Sequence, residues 1–354
     1  MIRSIFRIAF LAMMLPVIAT STITANAADE FTKTWEKVFE VDKNATFDLN
    51  NKFGDVHITT WNENKIDVKV KITVDVGSKE KANKILSSII IESSASKTLV
   101  TVRTRFDDNF SSKSNSNIHI NYTVRMPLSN SLKLSNKFGD FYLSELNGKA
   151  DIDADYANVK IGILRNSENE MDLDFSEATI EDYGSGSLDI SYTELTINKV
   201  VKVDVDSKFS ELDIKNLQTI NLDSQYDEVK LGTLIEADID GKFSEYEIDG
   251  LMKSLKLDIR YGECEIDNIS KNFEFIDIDN AFGSVDLEFE EGASFQLDVD
   301  VSFGSVDFPK SKFNIISEDK GYTSHELKAV SKEGSKSGKV KIDSSNGSVS
   351  IDID

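Results

Sequence analysis

An aromatic residue, a Gly or small polar residue, an acid, and then alternating apolar and polar positions recur together along most of the chain. The string reads NKFGDVHI at 51–58 and NKFGDFYL at 136–143. It continues as ADYANVKI, LDFSEATI, ISYTELTI, SKFSELDI, SQYDEVKL, GKFSEYEI, IRYGECEI, NAFGSVDL and, at 301–308, VSFGSVDF. From Phe138 onward the aromatics are Tyr156, Phe175, Tyr192, Phe209, Tyr226, Phe243, Tyr261, Phe282 and Phe303, spaced 17–21 residues apart. A last copy, SSNGSVSI at 344–351, places Asn346 where the aromatic should be.

With the aromatic as position zero, apolar residues stand four before it (Ile152, Met171, Leu188, Val205, Leu222, Ile239, Leu257, Ile278, Val299). More follow at three and five after, as in Leu212/Ile214 and Val229/Leu231, and at eight after, as in Leu146, Leu164, Leu217 and Leu251. Alternation over such short runs predicts strands with one buried face. Units of this length are too short for a strand–helix–strand crossover, which takes roughly 30 residues. The predicted fold is therefore all-β: a parallel β-solenoid (β-helix) in which each unit forms one coil and like residues lie about 4.8 Å apart on successive coils. The rival, a meander of antiparallel hairpins, would favour Asn-Gly or Asp-Gly turns between paired runs, and only scattered turn signals occur. Counting parity from the apolar residue four before puts the aromatics inward as a core ladder, so Phe209→Ala would cost ~3–5 kcal/mol. Cys264 falls on an apolar ladder position and reads as core filling.

The N-terminal block departs from this pitch. Ile66–Val76, Thr98–Phe106 and Ile118–Met126 are longer alternating runs, and residues 78–88 (SKEKANKILSS) predict a short helix with Ala82, Ile85 and Leu86 on its apolar side. Residues 107–117 and 331–338 are polar and read as loops. The expected organisation is a signal peptide at 1–27, a β-rich capping region with the first coil at 28–135, a regular solenoid at 136–308, and a loop with a closing strand at 309–354. Capping is expected at both ends because an open solenoid exposes unpaired strand edges.

Composition narrows the function classes. The formal net charge is −22 over 354 residues, which argues against nucleic acid or an anionic membrane surface as partner. Arg3 and Arg7, the apolar run 8–19 and Ala25-Asn26-Ala27 have the form of a secretory signal with its cleavage site. No Cys follows it, so the mature chain is expected to be exported, not a lipoprotein, and without a membrane span. One Cys and three His (His57, His119, His325) leave no disulfide framework and little for metal or His-dependent chemistry.

Two acidic series mark the repeat. One stands three before the aromatic: Asp153, Asp172, Asp189, Asp206, Asp223, Asp240, Asp258, Asp279, Asp300 and, in the last unit, Asp343. The other stands two after it: Asp55, Asp140, Glu177, Glu194, Glu211, Glu228, Glu245 and Glu263. Carboxylates stacked ~4.8 Å apart repel by roughly 0.9 kcal/mol per pair in water, which a divalent cation could relieve. The competing reading makes Asp206-Ser207, Asp223-Ser224, Asp240-Gly241 and Asp279-Asn280 turn dipeptides, with nearby Lys and Arg offsetting charge; no metal or cofactor site is assigned. No carboxylate pair is singled out for acid–base work, because acids recur on every unit and loops to wall a pocket are missing, so no catalytic residue is expected. Trp35 and Trp61, outside the regular series, are the remaining candidates for exposed aromatics.

The NKFGDVHITTW segment and the later INYTVRMPLSNSLKLSNKFGDFYLSELNG segment resemble bacterial exported adhesin-like proteins containing the DUF4097 domain. The resemblance extends over the mature chain, including the helix at 78–88 and Met126-Pro127. It implies a right-handed parallel β-solenoid in the cell envelope, with an adhesin-like or envelope-associated binding role and no catalytic signature. The expected partner is a macromolecule, protein or glycan. A periplasmic accessory of an envelope-stress or signalling system is the alternative, and a polysaccharide-active enzyme a distant one.

Overall fold

The computed structural model describes residues 29–107, 117–332 and 338–354. Residues 1–27, expected to be a signal segment, lie outside them, as do most of the two polar stretches at 107–117 and 331–338. The described chain is all-β apart from one α-helix and one short 3-10 turn at Lys310–Lys312. No helix among the described residues is long and apolar enough to cross a membrane.

Neighbouring repeats run parallel and pair like with like. Ser131–Lys137, ahead of Phe138, pairs in parallel with Ala150–Asp155, which pairs in parallel with Asn169–Asp174. Behind the aromatic, Phe141–Leu146 pairs in parallel with Asn158–Leu164, and that strand with the start of Glu177–Ser191. In the middle of the chain the two halves merge. Glu211–Gln225 and Glu228–Lys242 are single 15-residue strands that pair with each other before and after their bend. Leu188, Val205, Leu222 and Ile239 are successive partners, as are Leu195, Leu212, Val229 and Tyr246. All are buried, and so are Leu146, Leu164, Leu251 and Ile269 at the eighth position. Cys264 is buried among them, which pushes its thiol up to about 12.

Antiparallel strands cover both ends. At the N-terminal side Leu99–Phe106 and Asn117–Pro127 lie parallel on Thr46–Lys52 and Val56–Trp61. Ile89–Ala95 then pairs antiparallel with the first, and Lys65–Val76 with the second, followed by Asp29–Glu40. The helix α1 (Lys79–Ser88) is capped by Ser78, whose hydroxyl accepts from the Lys81 N–H, and it buries Ala82 and Leu86. At the other end Ser324–Ser331 pairs antiparallel with Phe295–Ser302, and Phe313–Lys320 with Ser324–Ser331. Such hairpins occupy the edges that a parallel stack would leave bare.

The last repeat does not lie last in space. Gly338–Ser345 pairs in parallel with Phe275–Ala281 on one side and Phe295–Ser302 on the other. Ser348–Ile353 likewise lies between Ser284–Phe289 and Ser305–Asp307. The Asn346 unit is thus inserted between the units of Phe282 and Phe303.

The expectation of an inward aromatic ladder is overturned. Nine rings from Phe138 to Phe282 are 44–52% exposed, and Phe303 is 67% exposed. The cause is a phase slip. Every aromatic, and Asn346, has a positive φ between 51° and 66°, the left-handed region. Alternation therefore does not pass through that residue. Positions four and two before it are buried (Leu222, Ser224), and so are one and three after it (Asp227, Val229), while Tyr226 turns out at the corner. Left-handed backbone costs a non-Gly residue ~1–2 kcal/mol, so the packing on either side must hold each corner.

Candidate functional site: an exposed aromatic column

From Phe53 to Tyr261 each aromatic N–H donates to the carbonyl just ahead of the next aromatic: Phe209 to Gln225 at 2.9 Å, Tyr226 to Lys242 at 3.0 Å, Phe243 to Arg260 at 2.8 Å. This fixes successive corners one strand spacing apart, and the rings follow. Phe53 stacks on Phe138 at 5.6 Å, and from Phe138 through Tyr156, Phe175, Tyr192, Phe209, Tyr226, Phe243, Tyr261 and Phe282 the centroids are 4.8–5.1 Å apart. Interplanar angles in the middle of the column are only 1–5°. Ring faces therefore cover one another and ring edges meet solvent. Phe and Tyr alternate strictly from Phe138 to Phe282, so hydroxyls recur at every second rung.

Under the column runs a buried polar ladder. The residues after the aromatics are Ala157, Ser176, Thr193, Ser210, Asp227 and Ser244, all buried. The backbone N–H of Thr193 donates to Ser210 Oγ at 3.1 Å, that of Ser210 to Asp227 Oδ1 at 2.8 Å, and that of Asp227 to Ser244 Oγ at 3.1 Å. In the NKFG and NAFG copies an Asn two before the aromatic closes the corner instead. Asn51 donates to the Gly54 carbonyl at 2.8 Å, Asn136 to Gly139 at 2.7 Å, and Asn280 to Gly283 at 3.0 Å. Both devices satisfy corner groups that would otherwise be buried unpaired.

The acidic series form two further columns. Asp153, Asp172, Asp189, Asp206, Asp223, Asp240, Asp258, Asp279, Asp343 and Asp300 are successive register partners. They lie inside strands, so the turn-dipeptide reading of Asp206, Asp223, Asp240 and Asp279 is corrected: the Ser, Gly or Asn after each is a small core-side residue in an extended strand. Glu177, Glu194, Glu211, Glu228, Glu245 and Glu263 pair in the same way beside the aromatics. Arg260 reaches Asp258 at 3.5 Å, and Lys133 reaches Asp151 at 2.8 Å. Among the described residues no group of three or more His, Cys, Asp or Glu is arranged to hold a metal ion. Trp35 and Trp61 are half-buried: Trp35 packs against the core, and Trp61 donates to the Lys65 carbonyl at 2.8 Å beneath Arg125.

Burial and the neighbouring carboxylates raise the Asp172 and Asp174 pKa values, and burial raises that of Asp227 despite the N–H groups it accepts from. A folded-state value above the unfolded one means the folded chain keeps protons that the unfolded chain has released. The associated stability is greatest below the ordinary Asp value of 3.8 and is lost as pH rises through the raised values. Glu318, lowered by Lys310, acts oppositely, but only at the C-terminal hairpin. The melting temperature at constant ionic strength should accordingly rise as the pH is lowered from neutrality toward 3.8; a fall measured by circular dichroism would contradict the raised values of these carboxyls.

No family model matches the chain, and no curated protein matches it. Solved structures give weak likenesses. One is a "putative cell adhesion protein" from Clostridium sporogenes, 12% identical, covering 91% of this chain and 100% of that one at a TM-score of 0.19. Another is a "putative adhesin" from Bacteroides fragilis, 13% identical, covering 91% and 97% at a TM-score of 0.23. A third is a "putative lipid binding protein" from Parabacteroides distasonis, 10% identical, covering 90% and 96% at a TM-score of 0.25.

Proposed function

We propose that the chain is an exported, non-enzymatic binding or scaffold protein of the bacterial envelope, and that its aromatic column is the face that meets another macromolecule. In this reading the paired repeats wind as a right-handed parallel β-solenoid of the DUF4097 type, and residues 1–27 direct export. One observation carries the proposal: nine near-parallel rings lie about half-exposed in one unbroken line. Long exposed apolar strips on otherwise charged surfaces are characteristic of interaction sites. Tyr hydroxyls every ~9.6 Å, two strand spacings, add regular hydrogen-bonding points. The flanking acids are distributed over all units rather than gathered into a pair, which supports a surface for contact rather than catalysis.

The test is a triple variant, Phe175→Asn, Phe209→Asn and Phe243→Asn, since Asn tolerates the left-handed corner. With circular dichroism unchanged, retention on intact cells and isolated envelope fractions should drop at least tenfold; equal retention would remove the column from the binding face. Protease treatment of intact cells then separates a surface adhesin, which is cut, from a periplasmic accessory, which is protected.

A further inference from the structure

The column has one missing rung. Asn346 occupies the corner between Phe282 and Phe303: the Phe282 N–H donates to the Ser345 carbonyl at 2.8 Å, and the Asn346 N–H to the Ser302 carbonyl at 2.7 Å. Asn346 has the same left-handed φ of 55° as the aromatics, so its side chain leaves the corner in the direction theirs do. It is shorter than a phenyl ring, and Phe282 and Phe303 stand two strand spacings, about 9.6 Å, apart. Phe282 stacks on Tyr261 at 4.8 Å on its other side. Phe303 is 67% exposed, well above the stacked rings. A shallow cleft of about 490 Å³ lies here, bounded by Phe282, Phe303 and Asn346.

The surroundings of this notch differ from the rest of the column. The corners from Phe175 to Phe243 are followed by Ser, Thr or Asp and then Glu, and those of Phe53, Phe138 and Tyr261 by Gly and then an acid, whereas these three are followed by Gly283, Gly347 and Gly304 and then by the uncharged Ser284, Ser348 and Ser305. The Gly backbones are in close contact: a Cβ on Gly304 would meet the Gly347 carbonyl at 1.8 Å, and one on Gly347 the Gly283 carbonyl at 2.2 Å. The floor is thus short and carries one carboxylate, Glu263, at which the acids two after the corner stop, while Asp279, Asp343 and Asp300 continue the other acidic column past it.

We propose that this notch receives one planar aromatic ring, the side chain of a Tyr or Trp presented by a partner protein, which restores the missing rung. The gap repeats the ring-to-ring register of the column, so a ring placed in it lies one spacing from each Phe. A ring at the middle of that gap has its centroid ~4.8 Å from each Phe, the spacing the column's own rings keep at 4.8–4.9 Å. Offset-stacked aromatic pairs have the centroid spacing that such a ring would adopt on either side. A lining whose one carboxylate is Glu263 disfavours an anionic group, and the Ser284, Ser305 and Ser348 hydroxyls line the cleft for a phenol or indole N–H. The inference rests on the column being a contact face and specifies the chemistry at one point of it.

The experiment is a saturation-transfer NMR titration of the full mature chain with N-acetyl-tyrosinamide and N-acetyl-tryptophanamide, against N-acetyl-leucinamide and methyl glucoside. The aromatic amides should saturate one site. Asn346→Phe, which fills the rung, should weaken them at least tenfold and raise the melting temperature, showing that the variant is folded. Phe303→Ala should also weaken them at least tenfold, and Asn346→Gly, which deepens the notch and suits the left-handed corner, should tighten them. No saturable aromatic binding, unchanged binding in Asn346→Phe, or preference for the glucoside would each overturn the proposal. Loss of envelope retention in the triple Asn variant, which leaves Phe282 and Phe303 in place, would stand whatever the notch does. The two readings therefore fail separately.

Discussion

Leu222→Ala is expected to cost about 2–5 kcal/mol, the range for a large aliphatic side chain lost from a close-packed core. Leu222 is 2% exposed and lies in register between Val205 and Ile239. Its truncation leaves a cavity that two fixed neighbouring units cannot collapse to fill. Phe209→Ala should cost less, although it removes more atoms. The ring is 47% exposed and stacks on Tyr192 at 5.0 Å and on Tyr226 at 4.9 Å. Ala also inherits the left-handed φ of 53° without relief. Phe209→Asn should be milder again, because Asn visits that region more readily. Urea unfolding of the three variants should give the order Leu222→Ala, then Phe209→Ala, then Phe209→Asn. A Phe209→Ala cost equal to that of Leu222→Ala, with no recovery in Asn, would return the ring to the interior.

That ordering turns on a signal present in the sequence but read with the wrong parity. Leu222 and Val229 are both core positions of one repeat, and they are seven residues apart. Strict alternation cannot bury both ends of an odd interval, so one residue between them had to break phase. The aromatic was that residue, and the small residue that follows it marks the place. Period-2 patterning made the strand segments and the long N-terminal runs legible, and the helical spacing of Ala82, Ile85 and Leu86 did so for the helix at Lys79–Ser88, because each depends on local sequence alone. The buried ladder of Ser176, Thr193, Ser210, Asp227 and Ser244 was not legible. Polar residues beside a corner suggest exposure, and only the neighbouring unit, 17 residues away, supplies the N–H groups that make burial affordable. The order of the final units was hidden for a related reason. Nothing local distinguishes a strand that extends a parallel stack from one that enters it, since the choice is made by which edge the intervening hairpin leaves open.

The inserted unit makes the second large prediction. Removing residues 338–354 should release more than the final repeat. Val340, Ile342, Val349, Ile351 and Ile353 are all buried, and together their burial represents on the order of 10 kcal/mol. More important is position. Gly338–Ser345 bridges Phe275–Ala281 and Phe295–Ser302, so its loss bares two facing edges and detaches the Phe303 unit with its antiparallel hairpin. Loss of an outer strand such as Asp29–Glu40 bares one edge only. In an array stabilised by nearest neighbours, damage should propagate only as far as the next intact interface. Hydrogen exchange on the shortened chain should therefore show lost protection across 295–331 and weakened protection across 275–289, with 150–260 unchanged. Retained protection at 295–302 would mean that the Phe303 unit can close directly onto the Phe282 unit, and that the inserted repeat is dispensable to the stack.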